Sequence, residues 1–161
     1  MLSGLDGACS VAGYGTTTGS HTVTASATDK AGNEGTDSAT YSVDTWAING
    51  FYRPVDMGGI LNTVKGGSTV PLKFEVFAGS TELTDVDFVK PAFTIARTAC
   101  CSATTDAIEV VSDTGSTAVR YDSVAGQFIK NWQTPKQPGA CYAVTMTTDD
   151  GSTITANFKL K

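Results

Sequence analysis

Apolar and polar side chains alternate along much of this chain, and the alternation predicts strands. Between residues 21 and 28, valine and alanine alternate with threonine and serine, which is the period of a half-buried strand. Residues 29–33 then supply loop residues, and residues 38–44 form the predicted return strand. The apolar face of this hairpin comprises Val23, Ala25, Ala27, Tyr41 and Val43.

From residue 46 onward, short strands recur with turn signals between them, as in a β-sandwich. We predict strands near residues 48–51, 69–77, 92–97, 108–111, 118–121, 127–130, 141–148 and 153–160. The last two form the clearest hairpin, with a turn at Asp150-Gly151. One face of that hairpin comprises Tyr142, Val144, Met146, Ile154, Ala156, Phe158 and Leu160. Helical periodicity is confined to a possible short turn within residues 84–90.

Composition agrees with an all-β chain in two parts, residues 1–45 and 46–161. Threonine, a strand former, is the commonest residue at 25, and 17 glycines suit turns. The net charge of −5 and the scattering of 8 Lys and 3 Arg argue against a nucleic-acid partner. No apolar run approaches the ~20 residues that a membrane span needs. Residues 1–20 lack the pattern of a signal peptide, so we expect a piece of a longer polypeptide.

Three ordered motifs in the second part carry a resemblance to a known family. They are Pro-Leu-Lys-Phe at residues 71–74, Gly-Gln-Phe with the later Asn-Trp at 126–132, and Gly-Ala-Cys-Tyr at 139–142. Together they resemble the PxKF domain, an accessory module of large secreted or surface-attached bacterial proteins, over roughly residues 46–161. The matching residues are Pro71, Lys73, Phe74, Gly126, Phe128, Trp132, Cys141 and Tyr142.

The first part resembles the end of a bacterial Ig-like repeat. Residues 26–33, Ser-Ala-Thr-Asp-Lys-Ala-Gly-Asn, match the run that joins the last two strands of such repeats. The earlier strands of the repeat are absent from this chain. An Ig-like sandwich takes about seven strands, so we expect the open apolar face to need a cover. The cover would be upstream sequence, the sandwich of the same chain, or a strand or surface of a neighbouring subunit.

These resemblances imply an extracellular, non-enzymatic structural, anchoring or assembly module, with self-association through strand or edge complementation as one mode. The implied partners are other domains of a longer polypeptide or identical subunits, and no cofactor is implied. An alternative is a carbohydrate- or surface-binding module that would hold cell-surface polysaccharide through exposed aromatics, with Trp132 and Tyr52 as candidates. A third is an accessory fragment of a secreted hydrolase. We expect Trp132 to lie in the core rather than on the surface. Trp46 and Phe51 are considered with Tyr52 as exposed aromatic residues that could bind a ligand.

The PxKF resemblance also implies a disulfide from Cys141 to either Cys100 or Cys101. A zinc site is disfavoured because the chain has one His and no Cys-x-x-Cys pairs, and a vicinal bridge between the neighbours is rarer. By resemblance to complete Ig-like repeats, Cys9 would be unpaired or paired outside this chain.

Catalytic and metal sites find little support in the sequence. The one histidine, His21, begins a predicted strand, and we expect it to be exposed there rather than to relay protons. The carboxylates at 85, 87, 149 and 150 suit loops and turns, and neither they nor Asp29 and Asn33 supply a full calcium loop. Lys73 alternates away from the apolar residues of its strand, so we expect a solvated Lys–Glu face rather than a Lys–Asn cross-link.

Overall fold

The computed structural model describes residues 4–100, 105–107 (backbone only) and 118–161. The chain divides into two compact units, Met1–Thr45 and Trp46–Lys161. This boundary coincides with the change of sequence character at Thr45-Trp46.

The first unit contains a single antiparallel sheet of three strands. The strands are β1 (Ser10–Ala12), β2 (Gly19–Thr28) and β3 (Glu34–Val43), in the order β1-β2-β3. The predicted hairpin is therefore confirmed, although β3 begins four residues earlier than residue 38. Strand β1 was not predicted, because three residues in a Gly-rich segment give too short an alternation.

Asp29 explains why pairing resumes so early in β3. Its Oδ1 accepts hydrogen bonds from the backbone N–H of Ala31 at 2.8 Å and of Asn33 at 2.9 Å. The carboxylate thus closes the loop tightly in place of a backbone turn. Glu34 can then pair directly opposite Thr28.

The second unit is nearly all β. Its elements are β4 (Ala47–Tyr52), β5 (Leu61–Val64), β6 (Thr69–Ala78), β7 (Thr81–Leu83), α1 (Val86–Val89), β8 (Ala92–Thr98), β9 (Thr105–Ala107), β10 (Arg120–Asp122), β11 (Gln127–Gln133), β12 (Cys141–Thr147) and β13 (Thr153–Leu160). One five-stranded sheet has the order β10-β11-β6-β4 with β7 added on β6, and the other has the order β8-β12-β13-β5-β9. The two sheets pack as an all-β sandwich, as the alternation predicts.

The core takes alternate side chains from both sheets. Its fully buried members include Val70, Leu72, Phe74, Val76, Phe128, Val144, Met146 and Phe158. The predicted final hairpin is confirmed in register, with Tyr142 opposite Phe158 and Val144 opposite Ala156. Thus the faces that alternation assigns to the core are the buried ones.

Three strands and several boundaries differ from the prediction. Strands β5, β7 and β9 were missed, since β5 is buried at all four residues and has no alternation, while β7 and β9 have only three residues each. Strand β10 covers Arg120–Asp122 rather than 118–121, and β11 continues three residues beyond 130. The predicted strand at 108–111 lies outside the described residues.

Pro71 lies inside β6, opposite Asn131 of β11. Strand β4 pairs with β6 only from Lys73 onward, so at Pro71 the other side of β6 has no partner from β4. A residue that cannot donate to a ladder is tolerated where one side of its strand is open. Pro71 therefore occupies an edge-like position, although it does not begin the strand.

Candidate functional site

The most unusual surface of this chain is the open edge of its first sheet. Strand β3 runs for ten residues and pairs with β2 along its whole length. Among the described residues no strand pairs with the other side of β3. A long edge presents a row of backbone N–H and C=O groups that can template pairing with another strand.

Asp37 partly protects this edge. The backbone N–H of Ser38 donates to Asp37 Oδ1 at 2.9 Å, at the middle of β3. Asp37 also lies opposite Ala25 of β2, so a charge stands on the otherwise apolar face. Both features are devices that slow edge-to-edge association without removing the edge.

The apolar face beside the edge is open to solvent. Val11 of β1 lies opposite Ala25 of β2 and is 66% exposed, and His21, Val23 and Ala27 are only half-buried. A hollow of about 350 Å³ lies beside the exposed free thiol of Cys9. Its other lining residues are Ala25, Ser26, Ala27, Gly35, Thr36 and Asp37.

Tyr41 fastens one end of this sheet. Its hydroxyl donates to the carbonyl of Gly15 at 2.6 Å and accepts from the N–H of Gly15 at 2.7 Å. The rings of Tyr14 and His21 stack on it at 6.1 and 5.4 Å between centroids. Gly15 is required here, because a Cβ would stand 2.6 Å from His21 Nδ1. The expectation that His21 is exposed was wrong, since Tyr41 half-buries it.

Apart from Lys73 and Gly126, the PxKF-type motif residues are buried in the second unit. Phe74 and Phe128 stack at 5.2 Å, and Trp132 packs edge-on against Phe158 at 4.9 Å. Trp132 is only 5% exposed, so it is too buried to stack against a ligand and is no longer a ligand-binding candidate. The remaining motif residues are also structural: Cys141 and Tyr142 are buried, and Gly126 supplies a positive φ of 66° in the turn between β10 and β11.

Lys73 is half-buried on the outer face of β6. Ile129 of β11 and Tyr52 of β4 lie opposite it. The same face therefore carries an aliphatic side chain beside the lysine stem. This placement agrees with a lysine that covers apolar surface while its ammonium reaches water.

Tyr52 is the aromatic candidate that stays on the surface of the sandwich. A register shift between Gly50 and Tyr52 turns Phe51 into the core, where it is 2% exposed, and leaves Tyr52 outside. The Tyr52 hydroxyl donates to Glu75 Oε2 at 2.8 Å. Partial burial raises the pKa of Tyr52 to about 12, with further contributions from the hydrogen bond to Glu75 and the charge of Glu82. The phenol is thus a fixed hydrogen-bond donor and not an acid–base group near neutral pH.

A second phenol–carboxylate pair lies on the same sheet. Tyr121 donates to Glu82 Oε1 at 2.8 Å, and this hydrogen bond, with burial and the Glu82 charge, raises the pKa of Tyr121. Trp46, also weighed from sequence, is half-buried and contacts Phe88 at 5.4 Å between centroids.

The carboxylates that could have served catalysis or calcium have structural roles. Asp85 caps α1 by accepting from the Asp87 N–H at 2.8 Å, and Asp149 pairs with Lys90 at 3.2 Å. Asp150 holds the start of the unit by accepting from the Trp46 N–H at 2.6 Å. In residues 4–100 and 118–161 no group of three or more His, Cys, Asp or Glu side chains is arranged to hold a metal ion.

The three cysteines that the structure describes form one bridge and one free thiol. Cys141 at the start of β12 is bonded to Cys100, with the Cα atoms 5.3 Å apart. Of the two neighbours left open by the sequence, the structure thus selects Cys100, while Cys101 lies outside the described residues. Cys9 is unpaired within the described part of the chain.

Comparison with known proteins gives no assignment. No protein-family model matches the sequence, and no curated protein matches it. The PxKF and Ig-like resemblances therefore stay predictions. Within the described ranges, none of the helices is long and apolar enough to cross a bilayer.

Some residues of the open sheet were missed from sequence. The alternation of β2 revealed the apolar face, but β1, Tyr14 and the role of Asp37 gave no signal. Tyr14 stands outside any strand, and an Asp inside a strand usually argues against that strand.

Proposed function

We propose that this chain is a non-enzymatic structural module of an extracellular bacterial protein that assembles through the open edge of its first sheet. The observation that carries the proposal is β3, a ten-residue edge beside an exposed apolar face. A partner strand on β3 would satisfy its outward backbone groups and extend the sheet.

Two features of the second unit favour a rigid structural module. Its core is closed from both sheets, and the Cys100–Cys141 bridge closes 41 residues of chain. Stable structural disulfides belong to oxidising compartments, which favours an extracellular setting. The bacterial origin and the surface setting rest on the PxKF resemblance.

The edge can be tested with a proline. Ser38→Pro removes the backbone donor that Asp37 Oδ1 engages in the middle of β3. We expect wild-type chain to associate with rising concentration in light scattering, and Ser38→Pro to remain monomeric. Thr16→Pro, in the same unit but outside its strands, is the matched control and should associate like wild type.

A second variant tests the same edge in the opposite direction. Asp37→Ala frees the Ser38 N–H and removes the charge from the apolar face, so it should lower the dissociation constant of self-association. The proposal is wrong if wild type and Asp37→Ala both stay monomeric at every concentration tested.

A further inference from the structure

The fold gathers lysines that are scattered in the sequence at one end of the sandwich. Three segments meet there, residues 60–70, 133–142 and 157–161, and they contain four lysines and no aspartate or glutamate. In a chain with net charge −5 this end is a local excess of positive charge. Its members are Lys65, Lys136, Lys159 and Lys161.

Hydrogen bonds hold these three segments together. The Thr134 N–H donates to the carbonyl of Ser68 at 2.8 Å, and the Thr134 hydroxyl donates to the same carbonyl at 2.9 Å. The Gly66 N–H donates to the carbonyl of Lys161 at 3.0 Å. Thr134 is buried, so its hydrogen bonds to Ser68 are shielded from water and hold those two segments in place.

Glycines allow the close approach of the two loops. A Cβ on Gly66 would stand 3.0 Å from the carbonyl oxygen of Pro135. Gly67 has a φ of 85°, and the aliphatic stem of Lys136 crosses directly over its Cα. Residues with side chains at these positions would push the loops apart.

Between the loops lies a groove of about 550 Å³. It is lined by Lys65, Gly66, Gly67, Ser68, Lys136 and Pro138. Lys65 and Lys136 form no ion pair with any described residue. The Gly67 N–H and the Ser68 hydroxyl likewise have no hydrogen-bond partner among the described residues. The residues that line the groove thus carry two ammonium groups, one N–H and one hydroxyl, with no carboxylate among them.

We propose that this groove binds an anionic oxygen group, the carboxylate or phosphate of an acidic polymer. Lysine ammonium groups recognise such groups as point charges, and the N–H and hydroxyl donors add direction. This inference goes beyond the assembly role, because it concerns the other unit and a different partner.

Affinity electrophoresis of the whole chain tests the groove. The gels contain sodium polygalacturonate, inorganic polyphosphate or neutral dextran, so that the first two distinguish a carboxylate from a phosphate ligand. We expect retardation by at least one anionic polymer and none by dextran, weakening as salt rises because charge pairs at a surface are screened.

Variants assign the effect to the groove. Lys65→Gln with Lys136→Gln should weaken binding by about tenfold, equivalent to about 1.4 kcal/mol. Lys65→Arg with Lys136→Arg should retain it. Lys30→Gln, in the first unit, removes one positive charge, half the change made by the double variant, and should bind like wild type. Thermal unfolding should show all variants folded.

Three results would overturn the proposal. They are no retardation of wild type by either anionic polymer, a folded double Gln variant that binds like wild type, and a Lys30→Gln variant that loses as much affinity as the double variant. Each is independent of whether the chain self-associates.

Discussion

Single buried polar residues position the loops of this molecule, and Asn62 shows how. It is fully buried in β5, where Oδ1 accepts from the Asp56 N–H at 2.9 Å and Nδ2 donates to the carbonyls of Asp56 and Asn157 at 2.9 and 3.1 Å. One side chain thus joins the β4–β5 loop to β13. Such a residue stabilises only while all its partners remain satisfied.

Asn62→Ala should lower the free energy of unfolding by about 3 kcal/mol, because three partly buried backbone groups lose their partner. Urea unfolding followed by tryptophan fluorescence measures this loss. Asn49→Ala removes an exposed amide from β4 and should change stability by less than about 0.5 kcal/mol. Equal stability of Asn62→Ala and Asn49→Ala would contradict the anchoring role.

Asp150 predicts a pH dependence. Burial raises its pKa, but hydrogen bonds from the Thr148 hydroxyl, the Trp46 N–H and Ser152 together lower it below the ordinary value. A carboxyl with a lowered folded-state pKa contributes stability above its unfolded pKa of about 3.9, and that stability is lost as pH falls through the folded value. The wild type should therefore lose more stability below about pH 4 than Asp150→Asn. Urea unfolding of both proteins across the acid pH range measures this difference. An equal loss of stability in wild type and Asp150→Asn as pH falls would contradict this role for Asp150.

Among the elements, the Cys100–Cys141 bridge ties the end of β8 to β12, which already pair along seven residues. At a sequence separation of 41 between the cysteines, the loop-entropy relation gives about 4 kcal/mol of stabilisation. Cys100→Ala with Cys141→Ala should lower the urea midpoint accordingly, whereas Cys9→Ser should not. An unchanged midpoint in the double variant would show that strand pairing alone sets the stability here.

How far the sequence predicts each element depends on how many of its faces are buried. Strands β12 and β13 have one buried face, so alternation fixed their register and their turn at Asp150-Gly151. Strand β5 is buried on both faces, and its Leu-Asn-Thr-Val sequence carries no period. The candidate edge could be predicted only in part. The apolar face of β2 is periodic and therefore visible in the sequence, whereas the protection by Asp37 depends on a hydrogen bond from the Ser38 N–H that only the folded strand shows.

At the scale of the whole molecule, the chain combines a closed, bridged sandwich with an open three-stranded sheet. The same apolar alternation builds both units, but among the described residues only the second unit has a facing sheet that buries its apolar side chains. An exposed apolar face beside a long edge strand is otherwise an aggregation liability, so its use in assembly is the reading we favour.

Hydrogen exchange of the β3 amides, measured at two protein concentrations about a hundredfold apart, tests this claim most directly. Pairing through the edge predicts slower exchange in peptides from Glu34–Val43 at the higher concentration, little change in Ser10–Ala12, and no concentration effect in Ser38→Pro. Exchange of Glu34–Val43 that is identical at both concentrations, in a chain that light scattering shows to be monomeric, would contradict it.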